Sequence, residues 1–154
     1  MLQFAPAHPS APGIADLIEA HHTASRRHYA LEDCHAFDGA TLVEGGVTLH
    51  AAWRDGVALG IGGLKPLGGG AVELKSMHTA AAARGQGVAS ALLRHLMDVA
   101  RGQGHRRMLL EAGRTDAYAA PARALYARHG FRACPPFGDY VARDASIFLA
   151  RDLG

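Results

Sequence analysis

Arg84-Gly85-Gln86-Gly87-Val88-Ala89 is a stretch that can hold a phosphate largely through its backbone. Glycine lets the main chain approach an anion closely, and the first N–H groups of a helix have no partner within it. The helix dipole lies behind those groups, and Arg84 stands beside them with a full positive charge. The pattern predicts a phosphate-bearing cofactor at this point of the chain.

Other residue types suggest rival chemistry. Ten histidines invite a metal site, and His21, His28 and His35, spaced by seven, share a face if one helix carries them. No His-Glu-x-x-His pattern or acidic cluster accompanies them, so they read as exposed or substrate-lining residues and no metal is expected. Cys34 and Cys134 stand far apart without a partner pattern. That excludes a disulfide framework and a cysteine-rich zinc site, and both read as core fillers. Gly85-x-Gly87-x-x-Ser90 approaches the Gly-x-Gly-x-x-Gly of dinucleotide-binding oxidoreductases, with Glu111 placed to hold a ribose. Against it, the third glycine is serine, four residues separate Thr79 from Arg84, and about half the chain precedes the motif. No Gly-Lys-Ser/Thr occurs, which excludes a phosphate-loop NTPase.

The glycines can act as a cradle only between an extended segment and a helix. Glu73 to Thr79 reads as the first. Val88, Leu92, Leu96 and Val99, with Leu93 and Ala100 beside them, give the second, a helix to about Arg101 stopped by Gly102 and Gly104. Upstream, Leu2 to Ala5 reads as an edge strand ended by Pro6. Ile14 to about His35 is helical, through Ile14, Leu17, Ile18, Tyr29 and Leu31, with Thr23-Ala24-Ser25-Arg26-Arg27 as a point of division into two. Strands are expected over about Thr48 to Arg54, Val57 to Leu64 and Val72 to Thr79. Asp55-Gly56 makes the first turn and Gly68-Gly69-Gly70 the second. Downstream come a short buried strand, Met108 to Glu111, and a helix, Ala117 to His129, with Pro121 near its start and Gly130 at its end. Phe131 to Cys134 is a strand, Pro135 to Tyr140 a loop, and Ser146 to Arg151 the last strand. The order fits a mixed α/β (α+β) sheet flanked by helices, with residues 1–154 as one domain.

Composition narrows the class. Hydrophobic residues make up 49% and charged residues 19% of the 154, values of a globular chain. The first ten residues carry no basic region of a signal peptide, no apolar run nears the roughly 20 residues of a membrane span, and the cysteine usage fits a reducing cytoplasm. A net charge of +2 argues against a nucleic-acid binder. Its distribution is uneven. Residues 1–77 sum to −3 and residues 78–154 to +5, so the glycine loop lies in the half suited to a polyanion.

The element order, with Arg-Gly-Gln-Gly-Val-Ala at the head of the central helix, resembles the GNAT family of N-acetyltransferases and in particular its small bacterial members. The family signature is Gln or Arg, two residues, Gly, one residue, then Gly or Ala, which Arg84, Gly87 and Ala89 match. Ala124-Leu125-Tyr126-Ala127-Arg128-His129-Gly130-Phe131 is similar to the Leu-Tyr…Gly-Phe end of the family's last helix. Glu73-Leu74-Lys75-Ser76-Met77-His78-Thr79 is similar to the strand before the loop, and Pro136-Phe137-Gly138-Asp139-Tyr140 to a segment of a bacterial subgroup. The matches run from about residue 73 to 149. Many members have an asparagine early in the last helix that touches the cofactor; here Tyr118-Ala119-Ala120-Pro121 stands instead.

The resemblance implies the acyl-CoA N-acyltransferase fold, with a mixed, mostly antiparallel central sheet. It implies transfer of an acetyl group from acetyl-CoA to a primary amine, directly, in a ternary complex. The diphosphate then lies on Arg84, Gly85, Gln86, Gly87, Val88 and Ala89, with the Ser90 hydroxyl as a further donor. The pantetheine arm pairs with the preceding strand at Met77 and Thr79, and a backbone N–H near Met77 or His78 polarises the thioester carbonyl. Tyr126 is the implied general acid, acting mainly as a hydrogen-bond donor because a phenol of pKa ~10 has little drive to protonate a thiolate. Glu73 is the implied general base, through a water, with His78 and Glu111 in reserve. Partners would be a small-molecule or peptide amine, with no nucleic acid or membrane and with homodimers common in the family. The competing reading is a non-catalytic CoA-binding sensor, against which the presence of both Glu73 and Tyr126 argues.

Overall fold

The computed structural model describes residues 1–28, 39–114 and 119–154. In chain order the elements are β1 (Gln3–Pro6), α1 (Ile14–His28), α2 (Gly39–Glu44), β2 (Thr48–Arg54), β3 (Val57–Gly68), β4 (Ala71–Thr79) and α3 (Val88–Gly102). They continue with β5 (Arg107–Gly113), α4 (Ala120–Arg128), β6 (Arg132–Ala133) and β7 (Ser146–Asp152). The strands form one sheet in the order β1-β2-β3-β4-β5-β7-β6. Among the described residues only β4 and β5 run parallel, and every other pairing is antiparallel.

Alternation along the strands gives the sheet two apolar faces. On one, Leu64, Val72, Leu74, Met108, Leu110 and Leu149 meet Val88, Leu92, Leu93, Leu96 and Met97 of α3 and Leu125 and Tyr126 of α4. On the other, Leu49, Ala51 and Ile61 meet Ile14, Leu17 and Ile18 of α1 and Leu42 of α2. Leu92, Leu93 and Leu96 are at most 1% exposed, and each contributes about 2 kcal/mol by leaving water.

Turn residues behave as their types require. Asp55 and Gly56 both take positive φ, 52° and 77°, the mirror-image turn whose twist suits a tight hairpin. α1 runs unbroken to His28, so Thr23 to Arg27 does not divide it. Serine and threonine lower helix propensity only slightly, and the buried stripe of Ile14, Leu17 and Ile18 holds the helix on the sheet. β3 continues past Leu64 to Gly68 because Pro66 lies opposite Val72 where the sheet goes on pairing, and β6 shortens to two residues. α4 starts at Ala120. Tyr29, Leu31, Cys34, His35, Ala117 and Tyr118 lie outside the described residues.

Candidate active site

β4 and β5 pair over three residues only, Ala71 with Arg107, Val72 with Met108 and Glu73 with Leu109. Beyond them β4 stays with β3 as far as Thr79 and β5 stays with β7 as far as Gly113. The sheet therefore parts in its middle. Alternate backbone groups of β4 past Glu73 have no strand beside them, and they border a cavity of about 670 Å³.

Within this edge two residues of β4, Ser76 and Met77, stand opposite the single Gly62 of β3, and Ser76 takes φ 58°. The extra residue flips the faces. Glu73 and Lys75 point to the α1 side before it, and His78 does so after it, in edge-to-face contact with His21 of α1 at 5.3 Å. Met77 turns to the α3 side, where a Cβ on Gly62 would come within 2.6 Å of its sulfur.

At one end of the cavity lie Arg84, Gly85, Gly87, Val88, Ala89 and Ser90. Gly85 and Gly87 both have φ 79°, and a Cβ at either would meet nothing, so the left-handed backbone and not crowding calls for glycine. The first helical bond of α3 is from the Ala91 N–H to the Gly87 carbonyl. Among the described residues no backbone carbonyl takes the N–H groups of Gly85 through Ser90. Gln86 contributes only its amide, since its side chain turns away to accept from Arg54 Nη1 at 3.0 Å and donate to the Ala82 carbonyl at 3.2 Å. Ser90 Oγ is 2.8 Å from His129 Nε2 and accepts from Arg94 Nη1 at 3.1 Å.

Tyr126 forms part of the α4 wall on the α3 side of the parting. The Tyr126-to-Phe131 segment explains its placement. The Phe131 N–H bonds the Tyr126 carbonyl and the Gly130 N–H bonds that of Ala127, with Gly130 at φ 84°, while the Phe131 ring packs edge-on against Tyr126 at 5.6 Å. This helix end, closed by a left-handed glycine and one hydrophobic contact, is what the Leu-Tyr…Gly-Phe run encodes. Burial pushes the Tyr126 phenol well above its ordinary value, so it keeps its proton and can donate a hydrogen bond.

Glu73 lies on the opposite side, 3% exposed. Its Oε2 accepts from the Tyr140 hydroxyl at 2.6 Å and from Lys75 Nζ at 3.2 Å, and Lys75 Nζ also donates to the Tyr140 oxygen at 2.9 Å. Glu111 Oε2 accepts from Ser146 Oγ at 2.6 Å. Burial, then His78 and His22, lower His21 to about 4, and its Nδ1 has no partner. Burial, then Arg84, also lower His78.

The structure thus brings Glu73, Met77, His78, Thr79, Tyr126 and the loop from Arg84 to Ser90 to one cavity, and leaves the Gln86 side chain outside it. The sequence reading missed Lys75 as a partner of Glu73, although alternation puts the two on one face. It also missed the reach of Tyr140, which no local pattern signals. Among the described residues no three His, Cys, Asp or Glu side chains gather as a metal site, and no helix is long and apolar enough to cross a membrane. The mostly antiparallel sheet, with a single parallel pair, removes the dinucleotide-binding alternative.

Known proteins agree with this geometry. The profile of the acetyltransferase (GNAT) family matches residues 12–131. YedL of Escherichia coli strain K12, named an uncharacterized N-acetyltransferase, is 37% identical over 142 residues, covering 92% of this chain and 89% of that one. A protein of Azospirillum brasilense named IAA acetyltransferase is 34% identical over 126 residues, covering 81% and 80%. An acyl-CoA N-acyltransferase structure from Klebsiella pneumoniae superposes with a TM-score of 0.81 at 25% identity, covering 100% and 99% of the two chains. A GNAT acetyltransferase from Elizabethkingia anophelis with acetyl-CoA bound shares the fold, with a TM-score of 0.71 at 18% identity over 98% and 97%. The family match and the relatives, on a sheet parted in its middle, identify the chain as a member of the GNAT family and an acetyltransferase.

Proposed function

We propose that this protein moves an acetyl group from acetyl-CoA to a primary amine by direct transfer within a ternary complex. The observation that carries the reading is the row of amides from Gly85 to Ser90 that no backbone carbonyl among the described residues takes, at one end of a cavity that passes between β4 and β5 to Glu73. Bound acetyl-CoA supplies the activated thioester. The amides and Arg84 bind its diphosphate, as a helix N-terminus does. The open edge of β4, at Met77 and Thr79, aligns the amides of the pantetheine arm as an added strand, and a backbone N–H near Met77 or His78 polarises the carbonyl. As the C–N bond forms and the C–S bond breaks, Glu73 takes the proton of the amine and Tyr126 donates to the sulfur. Small-molecule or peptide amines are the proposed acceptors, with neither nucleic acid nor membrane as a partner, in the cytoplasm, without a metal, and with a homodimer as the assembly to test.

Gly87→Glu tests the loop. Its carboxylate would project into the anion cradle from a backbone that disfavours any side chain, so acetyl-CoA binding by calorimetry is expected to vanish. Wild-type affinity in the folded variant would refute the assignment. CoA release across a panel of amines separates an enzyme from a sensor, since a sensor binds acetyl-CoA and releases none.

A further inference from the structure

The contact between Tyr140 and Glu73 spans 67 positions of sequence, and nothing in the packing demands it. Tyr140 sits in the loop between β6 and β7, where its ring meets Phe137 at 5.3 Å and Phe148 at 5.5 Å, and Phe137 meets Phe148 at 5.8 Å. Those contacts anchor the ring whether or not it carries a hydroxyl. The oxygen goes instead to a buried carboxylate at 2.6 Å, the length of a charge-assisted bond, and closes a triangle with Lys75 Nζ. A buried ion pair contributes little stability compared with apolar residues of the same volume. Three mutually bonded polar groups on the wall of the cavity, beside the last paired residue of β4 and β5, therefore point to the reaction. With Oε2 taking both donors, Oε1 keeps no partner among the described residues.

We infer that Tyr140 is a positioning residue for acetyl transfer, holding the Glu73 carboxylate together with Lys75 so that Oε1 is the oxygen offered to the acceptor amine. This rests on the reading of Glu73 as the base. Burial, then the charge of Glu73, raise the Tyr140 phenol above its ordinary value, so the hydroxyl stays a donor throughout the working range. Other charged or titratable groups on this face among the described residues include Lys65, opposite Glu73 on β3, Arg107 and Glu111 on β5, Asp152 opposite Arg107 on β7, and His21 and His78.

The test compares the full wild-type chain with Tyr140→Phe, Lys75→Gln and Glu73→Gln. The first readout needs no acceptor. Glutamate side-chain carboxyls are followed by 13C NMR against pH, and the Glu73 signal is the one lost in Glu73→Gln among five glutamates. In Tyr140→Phe this carboxylate loses a donor and is expected to titrate at higher pH than in the wild type, and Lys75→Gln shifts it the same way. Acetyl-CoA affinity, which also reports the fold, should stay within about twofold. With a simple alkyl amine that supports turnover, kcat of Tyr140→Phe should fall by about tenfold, with KM little changed. The acid limb of its pH profile should move up with the NMR titration. An unchanged titration overturns the proposal, and so does a shifted titration with an unchanged rate and profile. Wild-type turnover in Glu73→Gln defeats the base reading itself. Loss in Glu73→Gln beside a wild-type rate in Tyr140→Phe defeats only the positioning role.

Discussion

Tyr126 and Glu73 stand on opposite sides of the parted strands, Tyr126 within the α3–α4 core and Glu73 facing α1. In the proposed reaction the removal of the amine proton and the hydrogen bond to the sulfur are thereby kept apart. Tyr126→Phe leaves the Phe131 ring contact and the helix end intact, so turnover should drop by about 10²-fold with acetyl-CoA affinity nearly unchanged. Steady-state kinetics beside calorimetry decide it; an unchanged rate removes Tyr126 from the mechanism. His21 carries a second prediction. Above pH 6.5 it is neutral in both folded and unfolded chains; between pH 6.5 and about 4 only the unfolded chain takes up the proton. Stability should therefore decline on acidification through that window, by at most about 1.4 kcal/mol per pH unit from this group. His50 and His78, also lowered, act in the same direction. Urea melts at several pH values check this, and a smaller slope in His21→Gln assigns it. The placement of Glu73 and Tyr126 beside one cavity was legible in the sequence because each belongs to a short run with fixed neighbours. The contact of Tyr140 was not, since its partner lies 67 positions away in the chain.

Elements were legible where the physics is local. The hairpin at Asp55-Gly56, the β2 boundaries and the α3 stripe follow from turn chemistry and periodicity over a few residues. The Leu-Tyr…Gly-Phe run proved to be a helix stop whose bonds close within six residues. The bulge at Ser76-Met77 was hidden, because a single extra residue in β4 is defined only by its partner Gly62. That glycine is the element-scale test. A Cβ there would come within 2.6 Å of the Met77 sulfur and 2.7 Å of a Leu96 methyl, so the ends of both side chains would have to turn aside. Gly62→Val is expected to cost about 1–3 kcal/mol in urea unfolding and to weaken acetyl-CoA binding through the displaced Met77 side chain, which lines the cavity. Stability equal to the wild type would mean that this packing yields more easily than the geometry indicates.

Across the whole molecule, the uneven charge pattern and the motif order together suggest an anion-binding half, and the cavity is lined by residues of both halves, the glycine loop from one and Glu73 to Met77 from the other. What no sequence pattern showed is that β4 and β5 separate after three residue pairs, since parting is a property of two strands and their outer neighbours. The sheet is in effect a zip closed at its foot. Its two flaps carry opposite walls of the reaction chamber, and a guest threaded between them would supply the missing teeth. Hydrogen–deuterium exchange should thus slow along Leu74 to Thr79 when acetyl-CoA is added, while Val72 and Met108 at the closed foot change little. Equal protection with and without the thioester would mean that no such threading takes place.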